Sequence, residues 1–197
     1  MDDLSSSTIN KRFHFTQPDH WIGKLAYEYK EIIETKPGQT LKRVYGVMNF
    51  VICAWHMHDW IWDASSEAQR VEWARVLETP CRSAMDFGVA LKSKDRIFAI
   101  CAQVANELKH AAPHRRFNDP NIRTEVETQH RVNESGSQVE DWMPVFFDGA
   151  TRITDVQMMD QLIYGWIVVL HYVDMIDPEL AQRAFDRVLL TVADEVL

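Results

Sequence analysis

The chain has 197 residues, of which 46% are hydrophobic and 25% are charged, a composition typical of a folded globular protein with a sizeable core. Its formal net charge of −8 disfavours RNA or DNA as a partner, because broad nucleic-acid surfaces neutralise phosphates with Lys and Arg. The three cysteines lie in apolar segments without C-x-x-C spacing, which favours buried free thiols over disulfides or a zinc site.

The N-terminal third predicts a tail followed by two helices. Residues 1–17 are polar and carry no secretory leader, which predicts a flexible tail and a cytoplasmic protein. Apolar residues recur at helical spacing over 19–36, and Pro37-Gly38 ends this helix. A second helix over about 40–63 is apolar on nearly all sides, as expected of a helix surrounded by others.

Four polar residues interrupt the second helix along one side: Asn49, His56, Asp59 and Asp63. They make a membrane span costly, so we predict a core helix and no membrane partner. A buried polar group without a partner costs roughly 2–7 kcal/mol, so we expect this stripe to meet a side chain, water, a metal or a substrate. The alternative is a satisfied structural pair of His56 and Asp59.

Three more helices and a small sheet are predicted in the middle of the chain. The helices begin at Ser65-Ser66, cover 81–91, and cover 94–111. Residues near 120–155 change pattern, with β-branched alternation and a strong hairpin signal, and predict an antiparallel β-meander of two or three strands. Pro144 indicates that its strand has an edge or a bulge.

Two last helices are predicted over 155–175 and 177–195. A meander this small does not fold alone, so we predict a single domain over 18–197 that includes it. The fold class is therefore mainly α, a bundle of about six to seven helices with a small antiparallel β-meander inserted near residues 120–155.

Polar residues on the second and fifth predicted helices suggest metal-free RNA cleavage. Histidine titrates near neutrality, so His110 is the candidate general acid or base, with Asn106 and Lys109 beside it to polarise a phosphate. His56, oriented by Asp59, completes the candidate catalytic set. The structural alternative is that Asn106 and His110 form a capping and packing pair near a helix end.

A metal site in the bundle is another hypothesis, although no cofactor is the primary expectation. Imidazole and carboxylate ligands suit iron, manganese or zinc, and bundles place such ligands on facing helices. His171 and Asp174 repeat the spacing of His56 and Asp59. The candidate ligands are His56, Asp59, His110, His171 and Asp174.

The chain resembles a group of small uncharacterised bacterial helical proteins that carry H-x-x-D-W and A-x-x-x-K-H segments in that order. The likeness covers roughly 44–170, and it is carried by Asn49-Phe50-Val51, His56-x-x-Asp59-Trp60, Ala105-Asn106-x-x-Lys109-His110 and Asp148-Gly149. The order of helices is loosely similar to that of HEPN-type ribonucleases of toxin and defence systems, which are often dimers. Those proteins place an Arg five residues before the His, where this chain has Ala105.

The leading hypothesis is a small cytoplasmic bacterial or phage protein of a defence or stress system with HEPN-like, metal-independent ribonuclease activity. The alternative is a non-enzymatic module that forms a homodimer or binds a protein partner through its apolar helices and the edge of the meander. A metal-binding bundle enzyme is the third hypothesis.

Overall fold

A computed structural model describes residues 17–109, 119–177, 179, 182 and 183, and the statements below concern these residues. The mainly α fold class is confirmed, with six helices and a three-stranded sheet in the order α1 (Pro18–Ile33), α2 (Thr40–Ala64), α3 (Glu67–Val76), α4 (Ala84–Lys94), α5 (Arg96–Lys109), β1 (Ile122–Val132), β2 (Gln138–Asp148), β3 (Thr151–Thr154) and α6 (Asp155–Tyr172). Most of the predicted tail and most of the predicted last helix, 177–195, lie outside the described residues. Across the described ranges, no helix combines the length and the apolar character that crossing a membrane requires.

The most hydrophobic stretch of the sequence forms the centre of the fold, as predicted. α2 packs against α1, α4, α5, α6 and β2. Phe50, Met57 and Ile61 on this helix have no exposed surface. The indole N–H of Trp166 on α6 donates to the carbonyl oxygen of Ala54 at 2.9 Å, which satisfies a polar group inside the core.

Side-chain caps set where the helices start. The Ser83 hydroxyl accepts a hydrogen bond from the backbone N–H of Asp86 at 3.1 Å, so α4 begins at Ala84 and not at residue 81 as predicted. Ser66 and Thr154 each form a capping box with the glutamine three residues later. α1 begins one residue before the predicted start, with a proline in its first turn.

The meander has the strand order β1-β2-β3, and both pairs are antiparallel. β1 pairs with β2 from Ile122 opposite Asp148 to Val132 opposite Gln138, without a bulge. β3 pairs only with Val145–Asp148 of β2. Pro144 therefore lies just beyond the end of β3, where one side of β2 is unpaired, and its strand has the local edge that the sequence predicted.

Polar contacts attach the meander to the helices at both ends. At one end, the guanidinium of Arg96 on α5 bonds to Asp148 at 2.6 Å and to Asp119 at 2.7 Å. At the other end, the carboxylate of Asp141 accepts the backbone N–H of Gly38 at 2.8 Å. Arg96, a polar residue of the fifth helix, thus holds the sheet against the helices.

Candidate functional site

Asp59 lies between two histidines on α2. Its carboxylate oxygens are 3.3 Å from Nδ1 of His56 and 3.3 Å from Nε2 of His58. Nδ1 of His58 is 2.6 Å from the carbonyl oxygen of Trp55, so both ring nitrogens of His58 meet acceptors. A neutral imidazole donates from only one nitrogen.

The protonation of His58 is decided by its burial. Burial lowers the pKa of His58 below its ordinary range, against the hydrogen bond to the Trp55 carbonyl and the charge of Asp59, which raise it. Burial thus disfavours the charged form of His58, while the two acceptors at its ring nitrogens favour it. Its role is structural, as it packs against the Trp55 ring with centroids 4.3 Å apart.

The polar stripe of α2 lies at the surface of the bundle, where a neighbouring side chain and water, two of the expected partners, can meet it. The side chains of His56 and Asp59 are 38% and 47% exposed, and Asn49 and Asp63 are also exposed. α2 turns this side toward the surface, where His56 and Asp59 contact each other and water can reach the polar groups. The stripe is a solvated face of an otherwise buried helix.

Two of the other predicted catalytic residues, Asn106 and Lys109, lie far along the bundle from His56. The thiol of Cys101 on α5 contacts the carbonyl oxygen of Val51 on α2 at 3.4 Å. Beyond that level the two helices run antiparallel, since Val104 and Leu108 line one groove with Val44 and Val47.

His56 follows Val51 by five residues and Asn106 follows Cys101 by five, in opposite directions. At 1.5 Å per residue these side chains are separated by about 15 Å along the axis. The structure therefore places His56 and Asp59 in one group, and Asn106 and Lys109 in another.

The surroundings of Asn106 and Lys109 are consistent with a structural role. The Asn106 amide donates to the carbonyl oxygen of Ala102 in its own helix at 2.7 Å, and Lys109 is exposed at the end of α5. His110 and the basic residues His114, Arg115 and Arg116 that follow it lie outside the described residues. The catalytic assignment of His110, and with it the ribonuclease hypothesis, stays a prediction.

The described part of the chain contains no group of three or more His, Cys, Asp or Glu side chains placed to hold a metal ion. His171 and Asp174 are exposed at the end of α6, and Asp174 has a positive φ of 52°. Because His110 is outside these residues, the metal hypothesis also stays a prediction.

All three cysteines are free, as the sequence predicted, but of the three only Cys101 is fully buried, and Cys53 and Cys81 are partly exposed. Burial is the largest influence on each thiol, and it raises the pKa of Cys53, Cys81 and Cys101. Glu28 beside Cys53 raises the pKa of that thiol further. None of the three is activated as a nucleophile.

A cavity of about 500 Å³ lies between the ends of α3 and α4 and the outer side of α6. Its floor is apolar, and its rim carries Arg75 and Lys94. Both cations are neutralised, because Arg75 bonds to Glu72 and Lys94 bonds to Glu78 at 2.6 Å. The cavity therefore has no unpaired cation among these rim residues to attract an anionic ligand.

The feature that sequence reasoning described least well is the outer surface of the hairpin. Val126 is 54% exposed, Val132 is 61% exposed and Trp142 on β2 is 45% exposed. On β1, Val126 and Val132 belong to a series of uncharged residues that alternates with mostly charged ones. The period-two pattern of 122–132 therefore already indicated two different faces. What the pattern could not give is that the apolar side of the outer hairpin stays uncovered.

Comparison of the chain with protein-family models, with curated proteins and with solved structures gave no match.

Proposed function

We propose that the protein is a non-enzymatic interaction module that binds an extended polypeptide along the outer edge of β1. The observation that carries this proposal is the exposure of β1. Every residue from Arg123 to Val132 is exposed or partly exposed, over the full length of its pairing with β2. An exposed strand edge is a template for another strand, which adds through main-chain hydrogen bonds.

The backbone of β1 directs alternate residues to this edge. The N–H of Ile122 bonds to Asp119 and its carbonyl accepts the Gln103 amide, so neither group pairs with β2. The N–H of Asn133 bonds across the hairpin to Ser137 at 2.9 Å. In an antiparallel pair, residues that bond to the neighbouring strand alternate with residues whose backbone groups point away from it. The odd-numbered residues of β1 therefore bond to β2, and the even-numbered residues point their N–H and C=O groups outward.

Apart from its charged side chains, the edge lacks the usual protection against pairing. Natural edge strands are often blunted by proline, lysine, a bulge or great shortness. Residues 122–132 contain no proline, glycine or lysine, and their register with β2 is unbroken. In the described ranges, β1 packs on β2 and, near its start, on α5.

An apolar groove of about 150 Å³ beside the edge would accommodate side chains of the bound strand. Val126 and Pro144 form one wall, and Val44, Met48 and Leu108 form the other. In strand addition the main chain supplies affinity and such pockets supply specificity. An apolar lining favours apolar side chains at alternate positions of the bound strand.

The enzyme hypotheses draw less support from the described residues, because Asn106 and Lys109 lie apart from His56 and Asp59. The net charge of −8 also disfavours RNA as a substrate. Each of the two enzyme hypotheses has its own test. RNA cleavage by the wild type that is abolished in His110→Ala, with an unchanged thermal midpoint, would support the ribonuclease. Near-stoichiometric iron, manganese or zinc in purified protein would support the metal enzyme.

The proposed function is tested with nine-residue peptides displayed on phage and selected on sparsely immobilised wild-type protein. Enriched peptides are synthesised, and their dissociation constants are measured on Thr128→Pro and on Thr128→Ala as the matched control. Proline removes an outward N–H without touching the ladder to β2, so we expect at least about tenfold weaker binding, and little change for alanine.

Amide exchange supplies the second measurement. Bound peptide should slow exchange at the outward N–H groups of Thr124, Val126, Thr128 and His130. Selection that yields no peptide, or peptides that bind Thr128→Pro as tightly as the wild type, would contradict the proposal.

A further inference from the structure

We infer that the strand accepted by β1 is β1 of a second copy of this chain, antiparallel and centred on Thr128. This inference rests on the proposed function, and it names the partner. A two-fold axis normal to the sheet places even-numbered residues of one β1 opposite even-numbered residues of the other. The outward N–H and C=O groups of the two strands therefore face each other. Thr128 of one copy then faces Thr128 of the other, and residues 124–132 of each copy pair.

The charges on one face of β1 favour this register. That face carries Arg123, Glu125, Glu127, Gln129 and Arg131. With Thr128 on the axis, Glu125 faces Arg131 of the second copy, Arg131 faces the second Glu125, and Glu127 faces Gln129. Opposite charges directly across a strand pair stabilise it, and here the favourable pair occurs twice by symmetry.

Registers shifted toward the start of β1 bring like charges together. Centring the pair on Glu127 sets that residue against its own copy and sets Arg123 against Arg131. Centring it on Val126 sets Glu125 against Glu127. Like charges directly opposite each other are destabilising, and the register centred on Thr128 has none. A register centred on Gln129 also has none and sets Glu127 against Arg131, but it pairs only residues 126–132, a shorter stretch than the 124–132 paired about Thr128.

The other face of β1 is suited to the same pairing. There Thr124 faces Val132 of the second copy, and Val126 faces His130. Val126 and Val132 are at present 54% and 61% exposed. Thr128 already lies opposite Trp142 of β2, so the pair would give one row of Trp142, Thr128, Thr128 and Trp142 across the dimer. β-branched and aromatic neighbours of this kind favour sheet pairing.

The first measurement is the mass of the full chain in solution by sedimentation over a range of concentrations. We expect a monomer–dimer equilibrium. Glu125→Arg sets two pairs of arginines against each other and should raise the dissociation constant about ten- to hundredfold. Glu140→Arg makes the same charge change on the inner strand β2 and should leave the constant nearly unchanged.

Cross-linking tests the register. In Thr128→Cys the two Cα atoms lie about 5.5 Å apart across a hydrogen-bonded pair, within the span of a disulfide. Thr124→Cys is the matched control on the same face, and its two copies lie about 26 Å apart at 3.3 Å per residue. We expect oxidation to join the first variant into a dimer and to leave the second unjoined.

The outcomes separate this inference from the proposed function. A chain that is monomeric at all concentrations, or a dimer in which Thr128→Cys does not cross-link, overturns the inference. If selected peptides still bind and Thr128→Pro still weakens them, the proposed function stands with another partner. Glu125→Arg should lose the dimer yet keep peptide binding, because its backbone edge is intact.

Discussion

The helical body around α2 and the outer half of the β1–β2 hairpin satisfy their polar groups in different ways. In the body, the Trp166 indole bonds to a buried carbonyl, and Arg43 bonds to Asp155 at 2.8 Å with both side chains buried. Along the outer edge of β1, water or a second strand must meet the backbone groups. The body therefore supplies the stability of the protein, and the hairpin offers a surface that remains available for pairing.

Two tryptophans test this difference most strongly. Trp166→Ala removes a fully buried ring, its hydrogen bond to Ala54 and its edge contact with Phe98, and should cost about 3–5 kcal/mol. Trp142→Ala removes a ring that is 45% exposed on the hairpin and should cost less than about 1 kcal/mol. The free energies of unfolding in urea measure both, and equal losses would contradict the comparison.

Breaking the buried ion pair between Arg43 and Asp155 should cause the next largest loss of stability. Arg43→Met leaves the Asp155 carboxylate, which has no exposed surface, without its charged partner and should cost about 3 kcal/mol. The double variant Arg43→Met, Asp155→Leu should recover part of that loss, because no charge then stays buried. Arg75→Met removes an exposed pair with Glu72 and serves as the control with near wild-type stability.

A glycine in α4 tests how closely the body is packed. A Cβ on Gly88 would lie 2.9 Å from the ring of His58, so Gly88→Ala should destabilise the fold by about 1–3 kcal/mol. Gly23 in α1 has nothing within 4 Å of such an atom, and Gly23→Ala should stabilise by up to about 1 kcal/mol. Thermal unfolding of the two variants should shift in opposite directions.

The smallest expected effect lies at the attachment of the hairpin. The Arg96 guanidinium holds the pKa of Asp148 below its ordinary value, and it assists the Asn121 backbone N–H in lowering the pKa of Asp119. A carboxyl pKa that folding lowers adds stability above the unfolded value, and this stability is lost as pH falls through the folded value.

Wild type should therefore lose more stability than Arg96→Gln between about pH 5 and pH 2.5, by less than about 1 kcal/mol because these groups are partly exposed to solvent and their interaction is screened. Parallel losses in the two proteins, measured by urea unfolding, would show that Arg96 does not couple to these carboxylates.

Much of the fold could be predicted from local patterns. The apolar run at 44–62, the hairpin signal of Asp148-Gly149 and the position of Pro144 each led to the observed element, because helical periodicity, turn chemistry and a missing N–H act over a few residues. The start of α4 was wrong because the Ser83 cap outweighed the apolar pattern of the preceding residues.

The candidate site could be predicted only in part. The spacing of His56 and Asp59 correctly gave a contact within one helix, now seen at 3.3 Å. The spacing could not show that this side of α2 faces solvent, or that Asn106 lies toward the opposite end of the bundle. Those facts depend on how helices distant in sequence pack together.

By itself, the sequence determined the helices, the three strands, the alternation of charge along β1 and the free state of the cysteines, because each follows from the chemistry of neighbouring residues. Only the tertiary structure decided which sides of these elements are covered. Contacts such as Cys101 with Val51 and Arg96 with Asp148 fix the orientation of whole elements. Such long-range packing sets which residues are buried. The pattern of β1 alone was compatible with a covered or an uncovered strand, and the packing left this strand exposed.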